Sequence, residues 1–373
     1  MKQKLRYGYT TGACATAAAR GAALMLREQR LVDTVEIMLP GGVPASFKLH
    51  GQTLTDRSSS CFVVKDAGDD PDITNGAEIH AEIAVEYSGT ERIVLQGGVG
   101  VGRVTKPGLA VPVGEAAINP VPRQMIFETV KEVLAIRCIP AAFTVTISIP
   151  NGAELAKKTL NERLGIVGGL SILGTTGIVK PISAKAWTDT IDCSLDVALA
   201  SGAETVILST GRTSELAAQK FMESREPLPE EAFVMMGDHV GYALAACKRK
   251  GVKKVVLAGQ FAKLLKIACG HKQTHVSSSE LDLQALAAWI SREPRTAALE
   301  PLARQANTAR QVLEESGNDP VLIQLVSEKA KDCASLMAAG LQIEVILVGY
   351  DSKVLSCDWN KTLMEHGKGG KNG

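Results

Sequence analysis

The sequence predicts an α+β N-terminal domain joined to an α/β domain with a mainly parallel sheet. Three observations carry that expectation. The chain has 373 residues, more than one ordinary core holds, so two domains are expected. Its first 150 residues read as short strands with few helices. From about residue 165, strand, short glycine loop and helix recur in that order, the rhythm of a doubly wound sheet. The change falls at Pro150-Asn151-Gly152. The expected domains are therefore 1–150 and 151–355, followed by a flexible Gly/Lys-rich tail at 356–373.

The elements follow in chain order. From near Gly12 to about Gln29 almost every residue is small or apolar, so this helix is expected to be buried on more than one face. Thr10 or Thr11 is placed to cap it. Short strands are expected around Val35–Leu39, Ser46–Leu49 and Cys61–Val64. Ile79, Ala81, Ile83 and Val85 alternate with His80, Glu82, Ala84 and Glu86, the pattern of a half-buried strand. Arg92–Leu95 leads into a glycine-rich loop. Pro122 then opens a second helix, with the apolar stripe Ile126, Val130, Val133 and Leu134. Phe143, Val145, Ile147 and Ile149 make another alternating strand. In the second half, Thr205–Ser209, Phe233–Met236 and Lys254–Ala258 each run into a glycine turn and a helix. Helices fill roughly 280 to 340, and Ile343–Val348 returns to the sheet.

Composition narrows the function. Apolar residues make up 45% and charged residues 22%, as in ordinary soluble proteins. Aromatics are only 4%, which leaves few platforms for stacking bases. The net charge is +1 with no basic tract, so a nucleic-acid partner is not expected. An anionic ligand must then be held by local cations. The N-terminus has no hydrophobic signal region and no uncharged apolar run reaches ~18 residues, so a cytoplasmic location without membrane contact is expected. The eight cysteines form no C-x-x-C pair and sit mostly in apolar runs, which reads as reduced, buried thiols.

Five stretches carry chemistry. Residues 97–125 hold six glycines and four prolines around the cations Arg103 and Lys106. Glycine admits close backbone approach, and a long, stiff, cationic loop implies binding. No helix opens at these glycines and no Gly-Lys-Ser/Thr closes the run, so neither the dinucleotide fingerprint nor the P-loop is met. A backbone nest for a carboxylate or phosphate remains, with Arg123 able to join. Arg6, Thr10, Thr11 and Gly12 stand at a helix N-terminus, which is an anion site or a plain cap. Asp66, Asp69, Asp70 and Asp72 crowd four carboxylates into seven residues. They read as a hard-cation site without EF-hand spacing, a base of raised pKa, or a solvated turn. The strand-end loops of the parallel sheet share one edge, which gathers Thr210, Gly211, Arg212, Gly237, Asp238, His239, Gly259 and Gln260. Last, Lys263, Lys266, Cys269, His271 and His275 stand close in sequence. Zinc is one reading, but Gly270 breaks the helix before the histidine pair. An anion-binding loop or structural turn is favoured, and no protein metal is assigned.

The stretches RYGYTTGACATAAARGAA, VVKDAGDDPDITNG, GGVGVGRVTKPGLAVPVGEAAINPVPRQMI, GLSILGTTGIVKP and KLLKIACGHKQTH occur in order. Together they resemble the CbiD family over about residues 5 to 350. The one departure noted is Ala13, where the family more often carries Thr or Ser. The resemblance implies a methyltransferase of anaerobic cobalamin biosynthesis. It would move a methyl group from S-adenosylmethionine to C-1 of cobalt-precorrin-5B, giving cobalt-precorrin-6A. The substrate is then a cobalt-containing corrinoid rich in carboxylates, and the cobalt belongs to that substrate. On this reading Arg6, Thr10, Thr11, Gly12, Arg103, Lys106, Arg123, Lys263, His271 and His275 are expected to bind the substrate. Thr210, Gly211, Arg212, Gly237, Asp238, His239 and Gly259 are expected to bind the methyl donor. Asp66 or Asp69 is expected to be a polar contact or base near C-1. A homo-oligomer is compatible with the sequence. One alternative is a non-catalytic carrier of a corrinoid intermediate, which need not bind a methyl donor. Another is a small-molecule kinase, for which the chain lacks a phosphate loop.

Overall fold

The computed structural model describes residues 5–87, 92–134, 141–181 and 183–357. They form two compact units, Met1–Ser183 and Ala184–Gly373. The first unit comprises β1 (Gly8–Tyr9), α1 (Thr11–Glu28), β2 (Thr34–Met38), β3 (Pro44–Lys48), β4 (His50–Leu54), β5 (Ser58–Val64) and β6 (Glu78–Glu86). It continues through β7 (Arg92–Gly97), β8 (Arg103–Val104), α2 (Pro120–Leu134), β9 (Ala142–Ser148), α3 (Gly152–Ala156), β10 (Ile166–Val167) and β11 (Ile178–Val179). The sequence reading ended this domain near residue 150, which is too early. Residues 151–183 return to it, because β10 pairs with β8 and β11 pairs with β1.

Its main sheet has the order β4-β5-β6-β9-β7. All neighbours are antiparallel except β7 and β9. The inward residues of β5, β6 and β9 meet α1 in one core. Fully burying each Ile or Val there contributes roughly 1.5–3 kcal/mol. Fourteen of the eighteen residues of α1 are buried, as the Ala/Gly composition requires of a helix packed on several sides. The Thr10 hydroxyl accepts the Ala13 N–H at 3.2 Å and starts the helix. Gln29 ends it in the left-handed region at φ 53°. A Cβ on Gly12 would stand 2.6 Å from the Pro122 ring, so Gly12 lets the starts of α1 and α2 touch. Strand β4 was not expected, since His50–Leu54 has no apolar alternation. It is an edge strand, held to β5 by ladder bonds and by stacking of His50 on Phe62, with centroids 5.5 Å apart.

The second unit comprises α4 (Ala184–Ala200), β12 (Thr205–Ser209), α5 (Arg212–Glu223), β13 (Phe233–Met235), α6 (Val240–Lys250), β14 (Lys254–Gln260), α7 (Phe261–Ala268) and α8 (Leu283–Arg292). Helices α9 (Glu300–Gln305), α10 (Ala309–Glu315) and α11 (Pro320–Met337) follow, then β15 (Gln342–Val348) and β16 (Val354–Cys357). The sheet order is β13-β12-β14-β15-β16. The first four strands are parallel and β16 is antiparallel. This is the mainly parallel sheet that the repeating units predict. Every residue of β12 is buried, as in a strand covered on both faces. The short edge strand β16 was not foreseen and takes residues 356 and 357 out of the expected tail; the rest of that tail lies outside the described residues. No helix among the described residues is long and apolar enough to cross a membrane.

Candidate functional site

In the first unit the acidic loop is tied to the N-terminal segment. The Arg6 guanidinium donates to both oxygens of Asp66 at 2.5 and 2.9 Å. The Arg6 backbone N–H donates to Asp69 at 2.6 Å, and Asp66 also accepts the Gly68 N–H. The hydrogen bond from Arg6 holds the Asp66 carboxyl below its ordinary pKa. The expectation that crowding raises it is thus reversed: the loop spends its charge on a cation and on backbone N–H groups. Asp66 is therefore a poor proton acceptor.

Behind this loop lies a cavity of about 190 Å³. Thr10, Thr11, Lys65, Asp72, Thr74, Thr159, Asn161 and Ser171 form its polar lining. The Lys65 side chain is only 1% exposed and donates to Asp72 at 2.6 Å. Asp72 also accepts the backbone N–H and the hydroxyl of Thr74, at 2.8 and 2.7 Å. Desolvation pushes the Asp72 carboxyl up, but Lys65 and Thr74 outweigh it and the net direction is down. Thr11 reaches across to accept the Leu173 N–H at 3.0 Å, and the Gly12 N–H donates to the Leu173 carbonyl at 2.9 Å. Thr10 and Thr11 thus build one wall of the cavity, and Gly12 has a packing role against Pro122.

The glycine-rich loop behaves differently from the nest read in the sequence. The Gly98 N–H donates to the Ile147 carbonyl and the Gly102 N–H to Leu170, both at 2.8 Å. A Cβ on Gly100 or Gly169 would collide with backbone of the facing segment. These glycines seat loop on loop. The cations lie on the rim instead. Arg103 donates to the Gly114 carbonyl, and Arg123 pairs with Glu115 at 2.9 Å. The Lys106 ammonium lies 3.4 Å from the Arg163 carbonyl.

In the second unit the strand order β13-β12-β14-β15 reverses direction between β12 and β14. Ligands of doubly wound sheets bind at such a switch, beyond the strand C-termini. Thr210 sits there, its N–H donating to the Ala258 carbonyl at 3.0 Å. Gly211 faces open space and leads into α5, where Arg212 pairs with the buried Glu215 at 2.6 Å. Gly259 is close-packed, with a Cβ position 3.2 Å from Thr210 and Leu264. After β13, Gly237 adopts φ +57°. Asp238 accepts Lys263 and the Thr274 hydroxyl. Desolvation raises the Asp238 carboxyl, but these two partners bring it below its ordinary value. His239 takes a hydrogen bond with Gln273 at 3.1 Å, and its ring lies 6.3 Å from that of Trp187.

The expected grouping therefore changes at one point. Lys263, His271 and His275 were placed with the substrate cations of the first unit. Lys263 is on α7 of the second unit and bonds Asp238, one of the residues expected to bind the methyl donor. His275 bonds Ser277 at 2.7 Å, and the His271 backbone N–H donates to Lys266. Among the described residues no three His, Cys, Asp or Glu side chains gather to hold a metal ion. The seven described cysteines are free thiols, and burial pushes Cys14, Cys61 and Cys247 up to about 12. Cys138 lies outside the described residues. Lys65, Ser171 and Trp187 were missed. Lys65 hides at the end of an apolar strand, and Ser171 meets Thr11 across 160 positions, so no local pattern marks either.

The sequence matches the family model described as CbiD over residues 1–181 and the model of the CbiD C-terminal domain over 273–359. A protein of Geotalea daltonii named cobalt-precorrin-5B C(1)-methyltransferase is 65% identical over 354 residues, covering 94% of this chain and 98% of its own. Its namesakes in Geobacter sulfurreducens and Priestia megaterium are 65% and 45% identical, covering 95% and 92% of this chain and 98% and 94% of their own. The crystal structure of cobalamin biosynthesis protein (cbiD) from Archaeoglobus fulgidus is 30% identical, covers 72% of this chain and 81% of its own, and has a TM-score of 0.39.

Proposed function

This chain belongs to the CbiD family, and from that premise we propose that it is a cobalt-precorrin-5B C(1)-methyltransferase using S-adenosylmethionine. The observation that carries the reading is the likeness, end to end, to relatives that bear that name. The substrate is a cobalt corrinoid, and the protein works in the cytoplasm.

The donor site is the switch point of the parallel sheet. Thr210, Gly211 and Arg212 line one side, with Gly259 at the end of the neighbouring strand. Trp187 is 47% exposed beside Gly237 and His239 and supplies a stacking face for the adenine. The sulfonium departs as a neutral thioether, so the protein's task is alignment of the methyl carbon with C-1. Arg6, Arg103, Lys106 and Arg123 hold carboxylates of the macrocycle through charge-assisted bonds. Asp66 and Asp69 position Arg6 rather than accept a proton.

The test is methyl transfer by purified protein, read as one added methyl group in the product by mass. Calorimetry with S-adenosylmethionine runs beside it. Product formation supports the reading, whereas corrinoid binding without any donor binding would leave a carrier. Trp187→Ala is expected to weaken donor binding about tenfold, in line with roughly 1–3 kcal/mol per stacked base.

A further inference from the structure

We infer that the open cavity at the start of α1 is a carboxylate subsite, with the buried Lys65 side chain as its anchoring cation. The inference rests on the methyltransferase reading for the identity of the ligands and on geometry for the site. An ammonium has three N–H donors. Lys65 spends one on Asp72, and no other acceptor among the described residues takes the remaining two. The Ser171 side chain has no hydrogen-bond partner among the described residues, although Ser171 is only 8% exposed. The Thr10 hydroxyl accepts the Ala13 N–H and donates to no described group. Asp72, by contrast, already accepts three bonds. The lining therefore holds unspent donors on Lys65, Ser171 and Thr10, while both oxygens of its one carboxylate are already engaged. A ligand that fits is rich in acceptors and negative.

Size limits the ligand further. The cavity volume is about 190 Å³. That suits one acidic arm and excludes a tetrapyrrole ring, for which whole-ligand pockets of several hundred Å³ are usual. Both ligands of the proposed reaction carry such an arm. The macrocycle has side-chain carboxylates and the methyl donor has its amino-acid carboxylate. The shared chemistry is the carboxylate, and the experiment separates the sources.

Two variants test it. Lys65→Met removes the cation and keeps the stem. Ser171→Leu fills the cavity and leaves the Lys65–Asp72 pair alone, so it carries the test if the first variant does not fold. For each, binding of S-adenosylhomocysteine is measured by calorimetry, the corrinoid KM by methyl transfer, and the melting temperature alongside. The expected result is a tenfold or greater weakening of one ligand, with the other within about twofold. A raised corrinoid KM assigns the arm to the substrate, whereas weakened S-adenosylhomocysteine assigns it to the donor and overturns the placement of the donor at the parallel sheet. Unchanged binding of both ligands overturns the subsite. Equal weakening of both, as a loosened fold would give, overturns it too. Failure of wild-type protein to methylate cobalt-precorrin-5B would count against the activity instead, since calorimetry needs no turnover.

Discussion

A Cβ added at Gly100 would run into the Ile149 carbonyl oxygen, whereas one added at Gly211 would meet no heavy atom within 4 Å. Both residues lie in glycine-bearing loops that follow a strand. In the first unit, glycine lets three distant segments lie backbone against backbone, and the Gly98 and Gly102 N–H groups are already bonded. In the second unit, Gly211 after β12 leaves space. Glycine density alone therefore does not mark a ligand site. What marks one is whether the space beside the glycine is filled by the chain itself.

The largest expected effect follows from how the first unit is closed. A fragment ending at residue 150 lacks β10, β11 and the segment that accepts Gly102, and is expected not to fold. A fragment ending at residue 183 is expected to give a cooperative transition by circular dichroism. Cooperative folding of the shorter piece would break the contrast between the units. Next, Gly100→Ala forces a side chain into φ +71° and into the facing backbone. Together these are expected to destabilise the fold by more than about 3 kcal/mol in urea titration. Gly211→Ala is expected to stay within ~0.5 kcal/mol while weakening donor binding severalfold. Equal stability losses would erase the distinction.

A middle-sized effect concerns acid. The Asp72 and Asp238 carboxyls are both held below their ordinary pKa. Their contribution is therefore complete above the unfolded value near pH ~4 and is lost as pH falls through the folded value. Asp72→Asn and Asp238→Asn are each expected to flatten the fall in melting temperature below about pH 4. An unchanged acid slope in either variant would remove that residue from the account. The smallest effect is expected at Asp66→Asn. Its pair with Arg6 is half exposed, so water screens it and the loss is about 1 kcal/mol or less. Single-turnover methylation is expected to remain within severalfold of wild type. A hundredfold loss at unchanged melting temperature would restore Asp66 as a base.

Much of the fold was legible because it is periodic. The alternation of Ile79–Val85 and the solid apolar runs Thr205–Ser209 and Lys254–Ala258 reproduce β6, β12 and β14. Strand β4 was not, because an edge strand held by ladder bonds and by His–Phe stacking needs no apolar face. The domain boundary was misplaced because Pro150-Asn151-Gly152 makes a local turn, and composition carries no trace of the later return to β1 and β8. At the site, the strand-end loops could be read from topology, which sequence order dictates. The cavity could not. Its walls come from residues near 10, 65, 72, 160 and 171, and Lys65 looks like a surface lysine until its partner is seen.

The pairing of β1 with β11 also sets a schedule. Gly8 and Tyr9 leave the ribosome early, yet they wait for Val179 and Ile178, about 170 residues later, or on the order of ten seconds at ordinary translation speed. Until then the first residues of α1 lack the Leu173 backbone that Thr11 and Gly12 grip. The N-terminal unit is thus completed last by its own C-terminal strap. A pause or break in synthesis before residue 170 leaves β1 and the first turn of α1 without their backbone partners, an incomplete state in which a nascent chain is open to misassembly.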